Sequence, residues 1–117
     1  MDEAYFRTLL FDFYGELLND KQKEYFDLHY NEDLSLAEIA ESEGITRQGV
    51  WDIIRRAEAS LRRFESRTGL VARFAEQRRL VGRMEDELAA LLPRLDGDSL
   101  AMAEDIQRQL RELRHGI

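Results

Sequence analysis

Between Tyr5 and Leu17 the apolar residues Phe6, Leu9, Leu10, Phe13 and Leu17, with Tyr5 and Tyr14 beside them, recur at spacings of three and four. That is the period of a helix with one buried face, so the first element is predicted over residues 3–18. Asn19 followed three positions later by Gln22 has the form of a capping box and opens a second helix through Tyr25, Phe26, His29 and Tyr30, until Asn31-Glu32-Asp33 breaks it. Among those aromatics His29 is expected to be a packed, hydrogen-bonded side chain rather than a functional one. Ser35 and Glu38 repeat the box, with Leu34 and Ile39 at the hydrophobic-staple positions, and start a short helix at Leu36. It must stop near Gly44, a residue free to take the left-handed conformation past a helix end. Thr46 then caps a longer helix from Arg47 to Gly69, with Ile45 set opposite Val50. One face of that helix carries Val50, Ile53, Ile54, Ala57, Leu61 and Phe64; the other carries Gln48, Asp52, Arg55, Arg62 and Arg63.

From residue 70 the pattern becomes a seam: Leu70, Phe74, Val81, Met84, Leu88 and Leu91, broken by Gln77 where an apolar residue is due. Pro93 and Asp96-Gly97-Asp98 mark a loop, after which Leu100, Ala103, Ile106, Leu110, Leu113 and Ile117 repeat the spacing. The tail is therefore predicted to be a helical hairpin, or a coiled-coil-like element, that either folds back on the rest of the chain or pairs two copies into a homodimer. No strand signal occurs anywhere. The fold class is all-α, with one domain over 1–69 and the tail over 70–117.

Two helices joined by a short glycine-containing turn, the second longer than the first, form the helix-turn-helix plan, in which the second helix can enter a major groove. Ala40, four residues before Gly44, is small enough to let the helices approach, and Ile45, Val50 and Ile53 close the core between them.

Composition removes most other functions. The 117 residues include no cysteine and only His29 and His115, so disulfides, thiol nucleophiles and zinc knuckles are excluded and a histidine metal site nearly so. No carboxylate pair or glycine-rich phosphate loop suggests catalysis, and neither a cofactor nor a metal is expected. No apolar run is long enough to cross a membrane, and Met1-Asp2-Glu3 is acidic where a signal peptide would be basic, so a cytoplasmic location is expected. The net charge is -7, but it is unevenly spread: residues 1–46 carry -9, residues 47–83 carry +6 and residues 84–117 carry -4. Fifteen of the 17 basic residues are arginine, the side chain suited to bidentate phosphate contacts.

The stretches Leu9-Leu10-Phe11-Asp12-Phe13-Tyr14-Gly15, Leu17-Leu18-Asn19-Asp20-Lys21-Gln22 and Glu24-Tyr25-Phe26, with the helix-turn-helix from Asp33 to Arg56, resemble the small bacterial YlxM-type proteins over residues 5–75. That family is itself similar to region 4 of sigma factors. Its genes tend to lie beside those of the signal recognition particle and its receptor. The resemblance implies a sigma-region-4-like domain and a regulatory or accessory role in that protein-targeting pathway, with the particle's RNA or protein components as partners, and no enzyme activity. Two residues depart from the family pattern: Gly49 stands where alanine is usual, at a cost of about 1 kcal/mol in helix propensity, and Trp51 stands where tyrosine is usual.

If the long helix enters a groove, Arg47, Gln48, Trp51, Asp52 and Arg55 are placed to reach base edges, and Thr46, Arg56, Arg62 and Arg63 to hold phosphates. Ser35 to Arg63 nevertheless holds five basic and five acidic residues, so the sequence-independent electrostatic attraction of this segment is small. The basic stretch continues past the motif through Arg73 and Arg79, where an arginine-lined surface could hold a folded RNA by its phosphates. DNA and the particle's RNA both stand as expected partners. The alternative is a protein–protein interaction module that uses the same fold without nucleic acid, its acidic first third meeting a basic partner.

Overall fold

The computed structural model describes residues 1–116, and these are all-α, with no strand among them. The elements are α1 (Glu3–Tyr14), a 3-10 turn (Gly15–Leu17), α2 (Asp20–Tyr30), α3 (Leu36–Glu43), α4 (Arg47–Thr68), α5 (Leu70–Leu91), a second 3-10 turn (Leu92–Arg94) and α6 (Gly97–His115). Ile117, which the spacing places on the last seam, lies outside the described residues. The chain divides into two compact units, Met1–Val71 and the part from Ala72 onward.

In the first unit the helix boundaries follow from local chemistry. Asp2 caps α1 by accepting from Tyr5 N–H at 2.8 Å. Asn19 and Gln22 complete the box at α2, and Ser35 and Glu38 do so at α3. Gly44 ends α3 at φ +70° and Gly69 ends α4 at φ +64°, both in the left-handed region where a Cβ is disfavoured.

The first helix is shorter than its periodicity predicts. It stops at Tyr14, and the tighter 3-10 turn that follows advances the chain so that Leu18 is buried while Leu17 is 64% exposed. Phe13, also on the predicted apolar face, lies near the surface.

The core of this unit is built on α4. Val50, Ile54, Ala57 and Leu61, all inaccessible, lie along one side of it, and Leu9, Leu10, Tyr25, Phe26, Ile39 and Ala40 from the three preceding helices complete the buried set. Aromatic rings extend it: Phe11 stacks on Phe26 at 5.1 Å, Phe26 meets Tyr30 at 4.8 Å, and Tyr14 meets Phe64 at 6.0 Å.

Two polar clamps tie α1 to α4. Arg7 donates to Glu58 at 2.7 Å while lying 4.3 Å from the centre of the Tyr30 ring. Tyr14 donates to Glu65 at 2.6 Å and shares a hydrogen bond with the Thr68 hydroxyl. The same Glu65 oxygen accepts from Val71 N–H at 2.9 Å, so a carboxylate of α4 caps the first turn of α5. Burial and the Glu65 carboxylate raise the Tyr14 phenol above its ordinary value. His29 accounts for itself structurally, its Nδ1 lying 2.8 Å from the Leu34 carbonyl oxygen across the turn into α3.

The second unit holds the rest of α5, the second 3-10 turn and α6. Gly82, Glu85 and Ala89 of α5 border one groove with Gln107 and Arg111 of α6, and Arg114 near the end of α6 reaches Glu85 at 3.2 Å. Its seams are largely open. Val81, Ala103 and Leu110 are buried, whereas Met84, Leu91, Ile106 and Leu113, expected on the same seams, are exposed.

Candidate nucleic-acid interface

The turn between α3 and α4 sets the site. Gly44 and Ile45 both return N–H bonds to the Ala40 carbonyl, Ile45 at 3.1 Å, which reverses the chain tightly enough for Thr46 to cap α4. Thr46 Oγ1 accepts from Gly49 N–H at 3.0 Å. A Cβ on residue 49 would lie 3.2 Å from that hydroxyl oxygen, closer than most such contacts.

The first three turns of α4, with its cap, bring together Thr46, Arg47, Gln48, Trp51, Asp52, Arg55 and Arg56. Arg47, Gln48, Arg55 and Arg56 are exposed, and Trp51 and Asp52 are half-buried. Asp52 organises the middle of this face, accepting from Gln48 Nε2 at 3.0 Å and from Arg55 at 3.3 Å. Among the described residues no ion pair engages Arg47 or Arg56.

Four of the five acids that make the motif neutral are occupied: Glu38 with Ser35 N–H, Glu43 with Lys21, Asp52 with Gln48 and Arg55, and Glu58 with Arg7. The bond to the Ser35 backbone also holds the Glu38 carboxyl below its ordinary range. Residues 46–56 by themselves hold three arginines against one acid, Asp52, so this part of α4 is positive although the motif sums to zero.

The other sequence-predicted residues lie elsewhere. Arg62 is turned onto α1, where it pairs with Glu3, approaches Glu58 at 3.8 Å and lies 5.3 Å from the centre of the Phe6 ring. Arg63 donates to Ser60 Oγ at 3.1 Å. Arg73 and Arg79 are on α5 beyond Val71, in the second unit. Arg79 grips both oxygens of Glu76, at 3.0 and 2.7 Å, and this bond raises the Arg79 pKa and lowers that of Glu76.

One neighbour escaped the sequence reading. An open groove of about 470 Å³ is lined by Asn19, Asp20, Lys21 and Gln22 from the start of α2 and by Ile53 and Arg56 of α4, so Lys21 and Arg56 flank one depression. No sequence signal joins them, since Lys21 is on α2 and Arg56 is on α4, far apart along the chain. Lys21 is held by Glu43 at 3.4 Å and Glu24 at 3.8 Å, and the nearby Glu43 charge raises its pKa.

Residues 1–93 match the model of the UPF0122 family of helix-turn-helix proteins, described as "YlxM / p13 like". A UPF0122 protein of Thermoanaerobacter sp. (strain X514) is 43% identical over 113 residues, 96% of this chain and 97% of its own length. One from Symbiobacterium thermophilum is 52% identical over 89 residues, 76% of this chain and 79% of its own. A third, from Geobacillus kaustophilus, is 42% identical over 97 residues, 74% of this chain and 88% of its own.

Proposed function

The chain belongs to the UPF0122 family of YlxM/p13-like helix-turn-helix proteins, and from that premise we propose that it binds nucleic acid through the N-terminal half of α4, as a non-enzymatic accessory or regulatory protein. The carrying observation is the N-terminal half of α4, where Arg47 and Arg56 project without an ion pair among the described residues and the one acid on that face, Asp52, is held by Gln48 and Arg55. Arg47 and Gln48 have the donor geometry for guanine and adenine edges, and Arg55 and Arg56 for phosphates. Thr46, Trp51 and Asp52 complete the surface. Arg63, Arg73 and Arg79 could add phosphate contacts, whereas Arg62 would first have to leave Glu3.

The resemblance to YlxM-type proteins favours the signal recognition particle pathway, with the particle's RNA or an operator DNA as target and its protein components as further partners. The protein acts as a homodimer in the cytoplasm; no helix of the described residues is long and apolar enough to cross a membrane.

Titration with duplex DNA and with the particle RNA, each at two salt concentrations, tests the reading. Trp51, the single tryptophan, lies on the proposed surface, so its emission reports binding without a label. Replacing Arg47, Arg55 and Arg56 by alanine should abolish most of the affinity, and each lost phosphate contact should reduce the salt slope by about one. Unchanged affinity in the folded triple variant for both nucleic acids would reject it. The second reading, a protein-interaction module, rests on the -9 charge of residues 1–46 and on the exposed Glu38 and Glu41 of α3.

A further inference from the structure

The hairpin from Ala72 onward has two unlike faces. Val81 and Leu113 border the same groove as Gln77, Leu80 and Met84, so the outer stripes of α5 and α6 open on one side. The groove on the other side is lined by Glu85, Asp86, Gln107, Arg111 and Arg114 with Gly82 and Ala89. On the first side Leu80, Met84 and Leu91 lie along α5, and Met102, Ile106 and Leu113 lie along α6. All six are exposed, Met102 to 68%. Both stripes step by four and then seven residues, which is heptad spacing, and within each the one skipped position is polar, Glu87 and Gln109. The same pattern therefore runs along both helices of one face.

We infer that this face is an interface between two copies of the chain, packed as a four-helix arrangement across a two-fold axis. Size supports this occupant. The six side chains expose roughly 500 Å² of apolar surface per copy, at the upper end of what a monomer leaves uncovered, and two copies would bury about 1,000 Å², where specific interfaces begin. Charge supports it too. From Ala72 onward eight basic and nine acidic side chains nearly cancel. Two copies meet without repulsion, whereas a phosphate backbone or an anionic lipid surface would need a basic face. A two-fold interface is self-complementary, so a polar position repeated in both stripes fixes which register the copies adopt.

This deepens the homodimer part of the proposed function and is independent of its nucleic-acid part, because it is measured with no nucleic acid present. Light scattering of the full chain should give twice the 13.8 kDa chain mass. The three methionines supply native reporters: with methyl-labelled methionine and a soluble paramagnetic probe, Met84 and Met102 should be shielded while Met1, on the first unit, is attenuated. The double variant Met84→Lys, Ile106→Lys should halve the mass with helix content unchanged, and Gln107→Lys, on the polar face, should leave it a dimer.

A monomer mass for the native chain overturns the inference and leaves the face to a different protein. A dimer in which Met84 and Met102 are as attenuated as Met1 overturns it as well, as does a folded double variant that stays dimeric. If the double variant loses its helix content, the methyl shielding in the native chain decides.

Discussion

The two units of this chain spend their apolar residues in opposite ways. Among the described residues, Met1–Val71 buries thirteen apolar side chains, and the part from Ala72 onward buries three, Val81, Ala103 and Leu110. Helix content does not separate them, since both are helical nearly throughout. The difference is convergence: three helices and α4 point their apolar faces at one centre, whereas two helices alone can cover only the line between them. Regular secondary structure and a seam of leucines are thus insufficient for a core; a third element is needed to roof it.

The largest effect that should separate the units is a cavity at α4. Leu61→Ala, at a fully buried position, should cost about 2–5 kcal/mol in thermal or denaturant unfolding. A loss below about 1 kcal/mol would mean that the site collapses easily and that the contrast in packing is overstated.

Next in size is the turn. Gly44 sits at φ +70° with nothing within 4 Å of a would-be Cβ, so Gly44→Ala meets no clash and should cost about 1 kcal/mol from backbone strain alone. The same substitution at Gly82, inside α5 and equally uncrowded, should instead stabilise the helix, and equal effects at the two sites would remove the explanation.

A smaller effect is expected in acid. The folded chain holds the Glu38 carboxyl below its ordinary value of 4.5 because Ser35 donates to the ionised form. That contribution is complete above the ordinary value and is lost as pH falls through the depressed one. Glu38→Gln, which keeps a side-chain acceptor for the cap, should therefore flatten the acid limb of stability against pH. An unchanged limb would show that other carboxylates set it.

The smallest effect should come from Met102→Ser. At dilutions where copies are separate, this exposed position should change stability by less than about 0.5 kcal/mol. A larger loss at such dilutions would mean that the hairpin roofs its own seam.

What could be read in the sequence was what is decided within four residues. The capping boxes at Asn19 and Ser35, the Thr46 cap and the left-handed Gly44 depend on neighbours alone, and the structure contains each as expected. The all-α class and the helix-turn-helix followed from them. The exchange of Leu17 for Leu18 did not, because the helix ends at the Gly15 cap and the 3-10 turn after it shifts the phase that a single helical period carries through to Leu18. Arg62 shares the polar face of α4 with Arg55, but its partner Glu3 is 59 positions away, a distance over which periodicity is silent. The depression shared by Lys21 and Arg56 was hidden for the same reason. In the tail the spacing identified the apolar positions without telling which side of each seam would be covered.

The Glu65 carboxylate has a consequence for where the chain can be cut. It receives the Tyr14 hydroxyl from α1 and the Val71 amide from α5, and Val71 itself is wholly inaccessible. A fragment ending at Gly69 keeps every helix of the first unit but forfeits that amide and that side chain, leaving a carboxylate short of a donor beside an empty apolar site. One ending a turn later retains both. Limited proteolysis of the full chain should accordingly leave a resistant core whose last residue lies beyond Val71, with the Gly69 peptide protected even though glycine in a left-handed turn is ordinarily an inviting place for a protease.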